Sequence, residues 1–429
     1  MVQARETGLK ELEGLLLEMW ERVLKLEDID AEDNFFELGG NSIAAARFTN
    51  MLQERLGEAV QITVLYEAPT VAKLSDYLAE NYPDAVARIC GQEVARLNKG
   101  AAYELSQRDV AYVRETLSAV NRYSAAGQIR PERTAGARKN PQAIFILCTA
   151  RSGSTLLRVM LGGHRELFAP PELLLLPFDS LKQRNEIFSG PRSLWSEGIL
   201  RAIMELKACD ADQAKLILQQ CEEENMTVQE FYALMQEWLG GRKLVDKSPS
   251  YSQNLQVMQR AEDYFEDAMY IHLLRHPVAM IDSYERQRID QLSSKENLGY
   301  ETRQMAELLW VVSHQNMIEF LGRIPKERQC RVVFEELVKQ PRVVMEKVCE
   351  FLKLDFDEEV LTPHQNQSGK MTDGTQPSSR MLGDPKFNNY KSIDPSVADS
   401  WKKTDRPVAL SEITWRLAGE LGYGRPKEQ

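Results

Sequence analysis

The chain has 429 residues, of which 43% are hydrophobic and 27% are charged. These fractions are close to those of soluble globular proteins, and they exclude wholesale disorder and a collagen-like chain. Its 53 basic and 64 acidic side chains leave a net charge of −11, which argues against general nucleic-acid binding by phosphate neutralisation.

Membrane and metal partners are not indicated. No apolar run approaches the roughly 20 residues of a membrane helix, and the first residues lack the apolar stretch of a secretory signal. We therefore expect a cytoplasmic protein without a membrane partner. The 6 cysteines form no CxxC pair and the histidines have no metal-ligand spacing, so the sequence predicts no metal site.

The first 83 residues predict a small all-α domain. They hold 7 basic and 16 acidic side chains, so most of the chain's net negative charge comes from these residues. Apolar residues recur at helical spacing from Lys10 to Leu26, a second helix can begin at Ser42, and a third follows Pro69 and Thr70. We assign residues 1–83 to this helical bundle.

A linker and a larger α/β domain follow. Residues 84–140 begin with helical periodicity and then become rich in Gly, Ala, Arg and Pro from Ser124, which is typical of a flexible connection. Within 141–429, three short apolar, β-branched runs are separated by helical segments: 143–148, 268–274 and 330–334. This alternation predicts a central parallel sheet covered by helices.

The first chemistry-bearing motif is DNFFELGGNS, which ends at Ser42. A hydroxyl at the start of a helix can be esterified by a phosphate, because a helix N-terminus favours an anion. An ordinary N-cap serine is the alternative. With its two phenylalanines, the acidic surface and the EAPT segment, the region from about 8 to 82 resembles acyl and peptidyl carrier domains. The resemblance implies that a phosphopantetheinyl transferase attaches 4′-phosphopantetheine to Ser42.

The second motif is the strand AIFILC followed by TARSGSTLLRVML. A strand, a tight loop and a helix can place backbone N–H groups around an anion, here those of Ser152, Gly153, Ser154 and Thr155, with Arg151 as a further donor. The spacing and lysine of a Walker A loop are absent, which weakens a kinase or ATPase interpretation. A helix start that binds no ligand remains the alternative.

The third motif is LLRHPVAMIDSY, in which Arg275 stands eight residues before Ser283. This spacing can direct a guanidinium and a hydroxyl to one phosphate. Together with the preceding loop, it resembles the P-loop-like sulfotransferases that use 3′-phosphoadenosine 5′-phosphosulfate (PAPS), over roughly 141–361 and including the FEEL segment (Phe334–Leu337). The resemblance implies that the first loop holds the 5′-phosphosulfate and that Arg275 and Ser283 hold the 3′-phosphate.

Two residues compete for the role of general base. The run from Arg151 to His164, followed by Glu172, most resembles the tyrosylprotein sulfotransferase branch. That branch implies Arg151 on the phosphosulfate, Glu172 as base and Lys247 on the bridging oxygen, without a metal. The cytosolic branch instead uses a histidine base, for which His314, in a predicted helix over 305–321, is the candidate.

The order of the two domains resembles the carrier and sulfotransferase pair of polyketide assembly lines that form terminal alkenes, such as the curacin and cyanobacterial olefin pathways. The resemblance implies sulfation of a 3-hydroxyacyl chain tethered to the carrier, between an upstream synthase and a downstream thioesterase. A diffusible hydroxylated metabolite as acceptor and a non-catalytic docking module remain alternatives. Residues 381–394 are predicted to form a lid or an ordered surface loop.

Overall fold

The computed structural model describes residues 2–90, 103–120, 138–289, 298–375, 387–403 and 410–425. Two stretches of the predicted linker, 91–102 and 121–137, and the first part of the predicted lid, 381–386, lie outside these residues. Contacts divide the chain into two compact units, one with the described residues up to 90 and those of 284–302, the other with the described residues of 103–283 and from 303 onward. Among the described residues, no helix is long and apolar enough to cross a membrane.

The first unit is a helical bundle around one apolar core. Its helices are α1 (Val2–Leu24), α2 (Ser42–Leu56), α3 (Val64–Glu67), α4 (Val71–Asn81) and α5 (Pro83–Ile89). The bundle buries Leu16 and Trp20 of α1 against Phe48 of α2, in agreement with their helical spacing. Thr70 caps α4 by accepting a hydrogen bond from the backbone N–H of Lys73 at 3.2 Å.

The second unit alternates strands and helices along most of its length. The strands are β1 (Ile144–Leu147), β2 (Leu167–Phe168), β3 (Lys243–Asp246), β4 (Met269–Leu274) and β5 (Gln329–Val333). The helices that lie wholly or mostly in this unit are α6 (Gln107–Val120), α7 (Ser154–Gly162), α8 (Leu181–Ile187), α9 (Glu197–Lys207), α10 (Ala211–Glu223), α11 (Val228–Trp238), α12 (Leu255–Tyr264), α13 (Pro277–Arg286), α14 (Thr302–Leu321), α15 (Phe334–Lys339), α16 (Pro341–Leu352) and α17 (Glu412–Glu420). Short 3₁₀ helices span 190–196, 249–253, 326–328, 358–361, 387–389 and 395–403.

The five strands form one parallel sheet in the order β2-β3-β1-β4-β5. In register, Ile144 of β1 lies opposite Val245 of β3 on one side and Met269 of β4 on the other. The predicted α/β class with a central parallel sheet is confirmed. Because β2 and β3 lie on one side of β1 and β4 and β5 on the other, the winding reverses beside β1. Open α/β sheets bind ligands at this point, beyond the carboxyl ends of the strands.

Alternating side chains of β1 serve two separate cores. Phe145 and Leu147 pack with helices α9 to α12 and α14, whereas Ile144 and Ile146 pack with α7, α15 and α16. A strand buried on both faces reads as a continuous apolar run, which is why β1 was predictable. Strand β3 is only four residues long and begins and ends with a charged residue, so its pattern did not predict it.

Candidate functional site

Most of the predicted donor-site residues follow directly from the carboxyl ends of neighbouring strands. The loop that begins at Cys148 follows β1, Lys247 follows β3 and Arg275 follows β4. Parallel strands place these ends on one edge of the sheet, so residues far apart in the chain become neighbours. The sheet topology thereby gathers the predicted cationic side chains at the edge beside β1.

The loop after β1 depends on unusual backbone conformations. Arg151 has φ +61° and Gly153 has φ +84°. Gly153 immediately precedes α7, whose first-turn N–H groups have no acceptor within the helix, and a glycine has no side chain that could accept from them. Such N–H groups, together with the positive end of the helix dipole, suit an anion.

The hydroxyls of this loop have different surroundings. Ser152 is fully buried, and its hydroxyl donates to the backbone carbonyl of Thr149 at 2.6 Å, which holds the loop in shape. Ser154 and Thr155 occupy the first turn of α7 and are 5% and 6% exposed. The sequence predicted all three as phosphosulfate contacts, and the geometry gives Ser152 a structural hydrogen bond in addition.

Arg151 connects the first loop to the two residues predicted for the 3′-phosphate. Its Nε donates to the hydroxyl of Ser283 at 3.1 Å, and its backbone carbonyl accepts from Nη1 of Arg275 at 2.6 Å. The structure therefore brings Arg151, Arg275 and Ser283 together, with Arg151 between the other two. Two guanidinium groups at one buried edge favour a ligand with more than one negative charge.

Glu172 and Lys247 form a buried ion pair. Lys247 Nζ lies 2.6 Å from Glu172 Oε1, and the two side chains are 12% and 1% exposed, respectively, for the glutamate and the lysine. The neighbouring Cys148 is affected by this pair and by the loop: burial raises the pKa of its thiol to about 11, while Lys247 and the Ser154 hydroxyl oppose the rise. The ion pair and the start of α7 thus surround the end of β1.

The backbone on either side of Glu172 is fixed by buried side chains. Arg158 donates to the carbonyl of Ala169 at 2.8 Å, and the Ser248 hydroxyl accepts from the N–H of Leu174 at 3.2 Å. A Cβ atom on Gly198 would lie 2.1 Å from the carbonyl oxygen of Glu172, so α9 approaches this backbone as closely as a glycine permits. Burial lowers the pKa of Arg158 to about 9, which still leaves it charged at neutral pH.

Asp246 forms a second buried acidic group beside Lys247. Its Oδ2 accepts from the hydroxyls of Tyr232 at 2.5 Å and Tyr251 at 3.1 Å, and the Tyr251 hydroxyl in turn accepts from the N–H of Leu175. Burial raises the pKa of Asp246 to about 6, against the lowering effect of the two hydroxyls. This network joins β3 to the backbone that carries Glu172.

His314 is completely buried in α14 and pairs with a second histidine. Its Nδ1 lies 3.4 Å from Nε2 of His272 in β4, and its ring centroid lies 4.5 Å from that of Trp310. Its Nε2 has no hydrogen-bond partner within the part of the chain that the structure describes. Burial, with His272 and Arg331 as further causes, holds the pKa of His314 well below 6.5, so its ring is neutral at pH 7.

Asn41, and not Ser42, is the N-cap residue of α2. The Asn41 side chain accepts from the N–H of Ala44 at 3.0 Å, and Ser42 is the first helical residue. This disfavours the interpretation of Ser42 as an ordinary N-cap. A Cβ atom on Gly40 would lie 2.4 Å from Phe35 Cδ1, so the glycine lets the loop close onto the phenylalanine ring.

Three residues at this edge had no role assigned from the sequence. Phe334 and Glu335 begin α15 directly after β5 and contact the turn that carries Arg275. His272 lies within β4 and contacts His314. Their position at or near the end of a buried strand was the available signal, and the partner of each became visible only in the folded chain.

Two family models match the chain. One, described as the sulfotransferase family, matches residues 141–358, just over half of the chain, and one described as a phosphopantetheine attachment site matches 14–78. These matches coincide with the α/β region and the helical bundle that the motifs indicated.

Two solved structures resemble the α/β region. The sulfotransferase domain from the curacin biosynthetic pathway is 39% identical with a TM-score of 0.63, over 67% of this chain and 100% of that domain. The sulfotransferase domain from the Synechococcus PCC 7002 olefin synthase is 36% identical with a TM-score of 0.59, over 67% of this chain and 98% of that domain. At these identities the similarity extends beyond the fold alone.

Curated relatives resemble the helical bundle. Indigoidine synthase of Dickeya dadantii (strain 3937) is 38% identical over 78 residues, which are 18% of this chain and 5% of that protein. Gramicidin S synthase 2 of Brevibacillus brevis is 37% identical over 68 residues, 16% of this chain and 2% of that protein. The chain thus spans only a small part of the length of these relatives.

Proposed function

The chain belongs to the sulfotransferase family, and on that premise we propose that it moves a sulfuryl group from PAPS to the 3-hydroxyl of an acyl chain tethered to its own carrier domain. The sequence-based identification of a carrier domain joined to a sulfotransferase domain is confirmed by the two family matches. The observation that carries the proposal is the presence of both domains in one chain, with each similar to parts of biosynthetic enzymes.

The residues after β1 and β4 fit the donor. Gly153, with φ +84°, lets the loop turn into the first turn of α7, and Arg151 and Arg275 supply positive charge. We assign the 5′-phosphosulfate to residues 151–155 and the 3′-phosphate to Arg275 and Ser283. When bound, PAPS supplies the sulfuryl group. The side chain of Lys247 offsets negative charge that develops on the departing phosphate.

We assign the proton-accepting role to His314 and an orienting role to Glu172. The Glu172 carboxylate is engaged by Lys247 at 2.6 Å, and its charge offsets that of a buried ammonium. Nε2 of His314 can accept a proton when Nδ1 carries the ring hydrogen and donates it to Nε2 of His272. A neutral imidazole is suited to deprotonating an alcohol near pH 7.

The carrier domain delivers the acceptor. Ser42 is the first residue of the 15-residue helix α2, which fits a phosphate ester at that position. A phosphopantetheinyl transferase would attach the 4′-phosphopantetheine, an upstream synthase would load the 3-hydroxyacyl chain, and a downstream thioesterase would act on the sulfated product. Covalent tethering raises the effective acceptor concentration to about the millimolar range.

The test is intact-mass analysis of the 3-hydroxyacyl-loaded chain after incubation with PAPS. We expect a gain of about 80 Da, the mass of one SO₃ group, and no gain in a Ser42→Ala chain given the same acyl-coenzyme A and transferase. A loaded chain that stays at its starting mass while a free hydroxylated acyl substrate is sulfated would replace the tethered acceptor by a diffusible one. Absence of transfer to either acceptor would overturn the proposed reaction.

A further inference from the structure

The ring of Phe334 touches both regions that we assign to the donor nucleotide. A Cβ atom on Gly153 would lie 2.2 Å from its Cδ2 and Cε2, so the first loop rests directly against the ring. The guanidinium carbon of Arg275 lies 4.6 Å from the ring centroid. Phe334 is only 6% exposed and is the first residue of α15. One rigid side chain therefore sets the spacing between the loop and Arg275.

The next residue, Glu335, holds the turn that carries Arg275. One carboxylate oxygen accepts from the backbone N–H of His276 at 2.9 Å, and the other accepts from the Tyr423 hydroxyl at 3.0 Å. The His276 ring stacks on Trp401, with the centroids 3.8 Å apart. The turn is thus fixed from α15, from the C-terminal region and, through the carbonyl of Arg151, from the first loop.

We infer that Phe334 and Glu335 are positioning residues that hold Arg275 and the first loop at the separation that the two phosphates of an adenosine 3′,5′-bisphosphate require. The inference rests on the proposed function, because it presumes that donor. The ribose fixes the distance between the two phosphates, so a protein gains from both contacts only when its own groups are already placed. An arginine side chain held against an aromatic ring loses less rotamer freedom on binding than a mobile one.

Calorimetry on the purified chain can separate the contact with the 3′-phosphate from the contact with the 5′-phosphate. The probes are adenosine 3′,5′-bisphosphate and adenosine 5′-monophosphate, which differ by the 3′-phosphate alone. We expect Phe334→Leu to lower the ratio of the two affinities about tenfold, because leucine keeps apolar bulk against Gly153 but cannot stack with Arg275. The affinity for the monophosphate should change less than about threefold.

Glu335 provides a second variant that does not alter the core. We expect Glu335→Ala to lower the same ratio, and Glu335→Gln to restore most of it because the amide oxygen still accepts from the N–H of His276. Phe356→Leu is the matched control, since Phe356 stacks with the exposed Arg342 at 5.2 Å in another part of the unit. In the Phe356→Leu variant, the ratio of the affinities for the bisphosphate and the monophosphate should equal that of the unmodified chain.

The outcomes distinguish this inference from the proposed function. An unmodified chain that binds neither nucleotide would overturn the proposed donor and the inference with it. An unmodified chain that prefers the bisphosphate, with the same preference retained in Phe334→Leu and Glu335→Ala, would overturn the inference alone. Thermal unfolding of each variant identifies any that fails to fold, and the glutamate series then decides the result.

Discussion

Lys247 Nζ lies 2.6 Å from Glu172 Oε1, in an ion pair that connects the end of β3 to the loop after β2. Both side chains are almost fully removed from water, so each charge depends on the other. Removing one partner of a buried pair leaves an uncompensated charge, which is far more costly than losing an exposed pair. This ion pair is the observation on which the proposed orienting role of Glu172 rests.

The first prediction ranks the two candidate bases. We expect Glu172→Gln to lower kcat about tenfold through misplacement of Lys247, and His314→Ala to lower it about 1000-fold through loss of the proton acceptor. Steady-state kinetics with saturating PAPS measures both. The reverse ranking would assign the base to Glu172, and full turnover in both variants would remove both candidates.

A stability measurement accompanies these kinetics. Glu172→Gln should lower the free energy of unfolding by about 1–3 kcal/mol, because a buried ammonium loses its charged acceptor. Glu358→Gln is the control, since its partner Arg342 is exposed and an exposed pair should change the stability much less. Urea titration of both variants gives the comparison.

The second prediction concerns the pH dependence of kcat/KM. Burial, His272 and Arg331 hold the pKa of His314 well below 6.5, so its ring stays neutral as the pH falls through 6.5. The neutral ring is the form that accepts a proton. We therefore expect kcat/KM not to decline at pH 6.5, and the acidic limb of its pH profile to begin at a lower pH. A limb at 6.5 or above in the pH profile of the unmodified chain would contradict the assignment.

The third prediction concerns the pH dependence of stability. Burial lowers the pKa of His272 to about 3 and of His276 to about 4, and that of His314 is also lowered. Below pH 6.5 the unfolded chain binds protons at these positions and the folded chain does not, so acidification destabilises the fold. Asp246, whose pKa burial raises to about 6, acts in the opposite direction between pH 6 and 4. The raised pKa of Glu222 acts with Asp246, and the lowered pKa of His364 acts with the other histidines.

We therefore expect the free energy of unfolding to fall by about 4 kcal/mol between pH 7 and pH 5. Urea unfolding at both pH values measures the difference. His272→Gln removes one titrating group and should reduce the slope by roughly 1.4 kcal/mol per pH unit. A stability that rises on acidification would show that Asp246, not the histidines, dominates the linkage.

The fourth prediction separates modification from capping at α2. Ser42→Ala should abolish the mass gain of about 340 Da that a phosphopantetheinyl transferase and coenzyme A produce on the unmodified chain. Asn41→Ala removes the side chain that accepts from the N–H of Ala44 and should cost about 1 kcal/mol of carrier stability. The Asn41 variant should still be labelled, and labelling of the Ser42 variant would disprove the attachment site.

The predictable parts of the fold were those with strong local signals. Strands β1, β4 and β5 were recognisable from mainly apolar, β-branched runs over 143–148, 268–274 and 330–334, although β5 also includes Gln329 and Arg331. Strand β3 was not, since Lys243 and Asp246 interrupt so short a pattern. Asp246 is the last residue of β3 and Lys247 follows it. Because this strand was missed, the contacts of Asp246 with the two tyrosines and of Lys247 with Glu172 could not be predicted either.

For the site, the sequence predicted candidate residues but not which of them contact one another. Arg275 and Ser283 were expected to act on one phosphate, and in the folded chain both contact Arg151, the first at its carbonyl and the second at its Nε. The stack of Arg275 on Phe334 joins two positions that are distant in sequence, and no local pattern encodes such a contact. The carboxyl ends of neighbouring parallel strands bring these residues together, which is why periodicity alone could not predict the pairs.

The final prediction concerns Gly153, where two physical effects coincide. Its φ of +84° disfavours any L side chain, and a Cβ atom would lie 2.2 Å from the Phe334 ring. Gly240 provides a matched control, because it has φ +59° with no atom within 4 Å of a Cβ. Gly240→Ala should therefore cost only the backbone strain, about 1–2 kcal/mol. Gly153→Ala should cost about 1–3 kcal/mol more, since the ring must shift. It should also weaken binding of adenosine 3′,5′-bisphosphate at least about tenfold, because the moved ring displaces Arg275. Urea unfolding and calorimetry measure the two effects, and equal stability losses in the two variants would contradict the close contact.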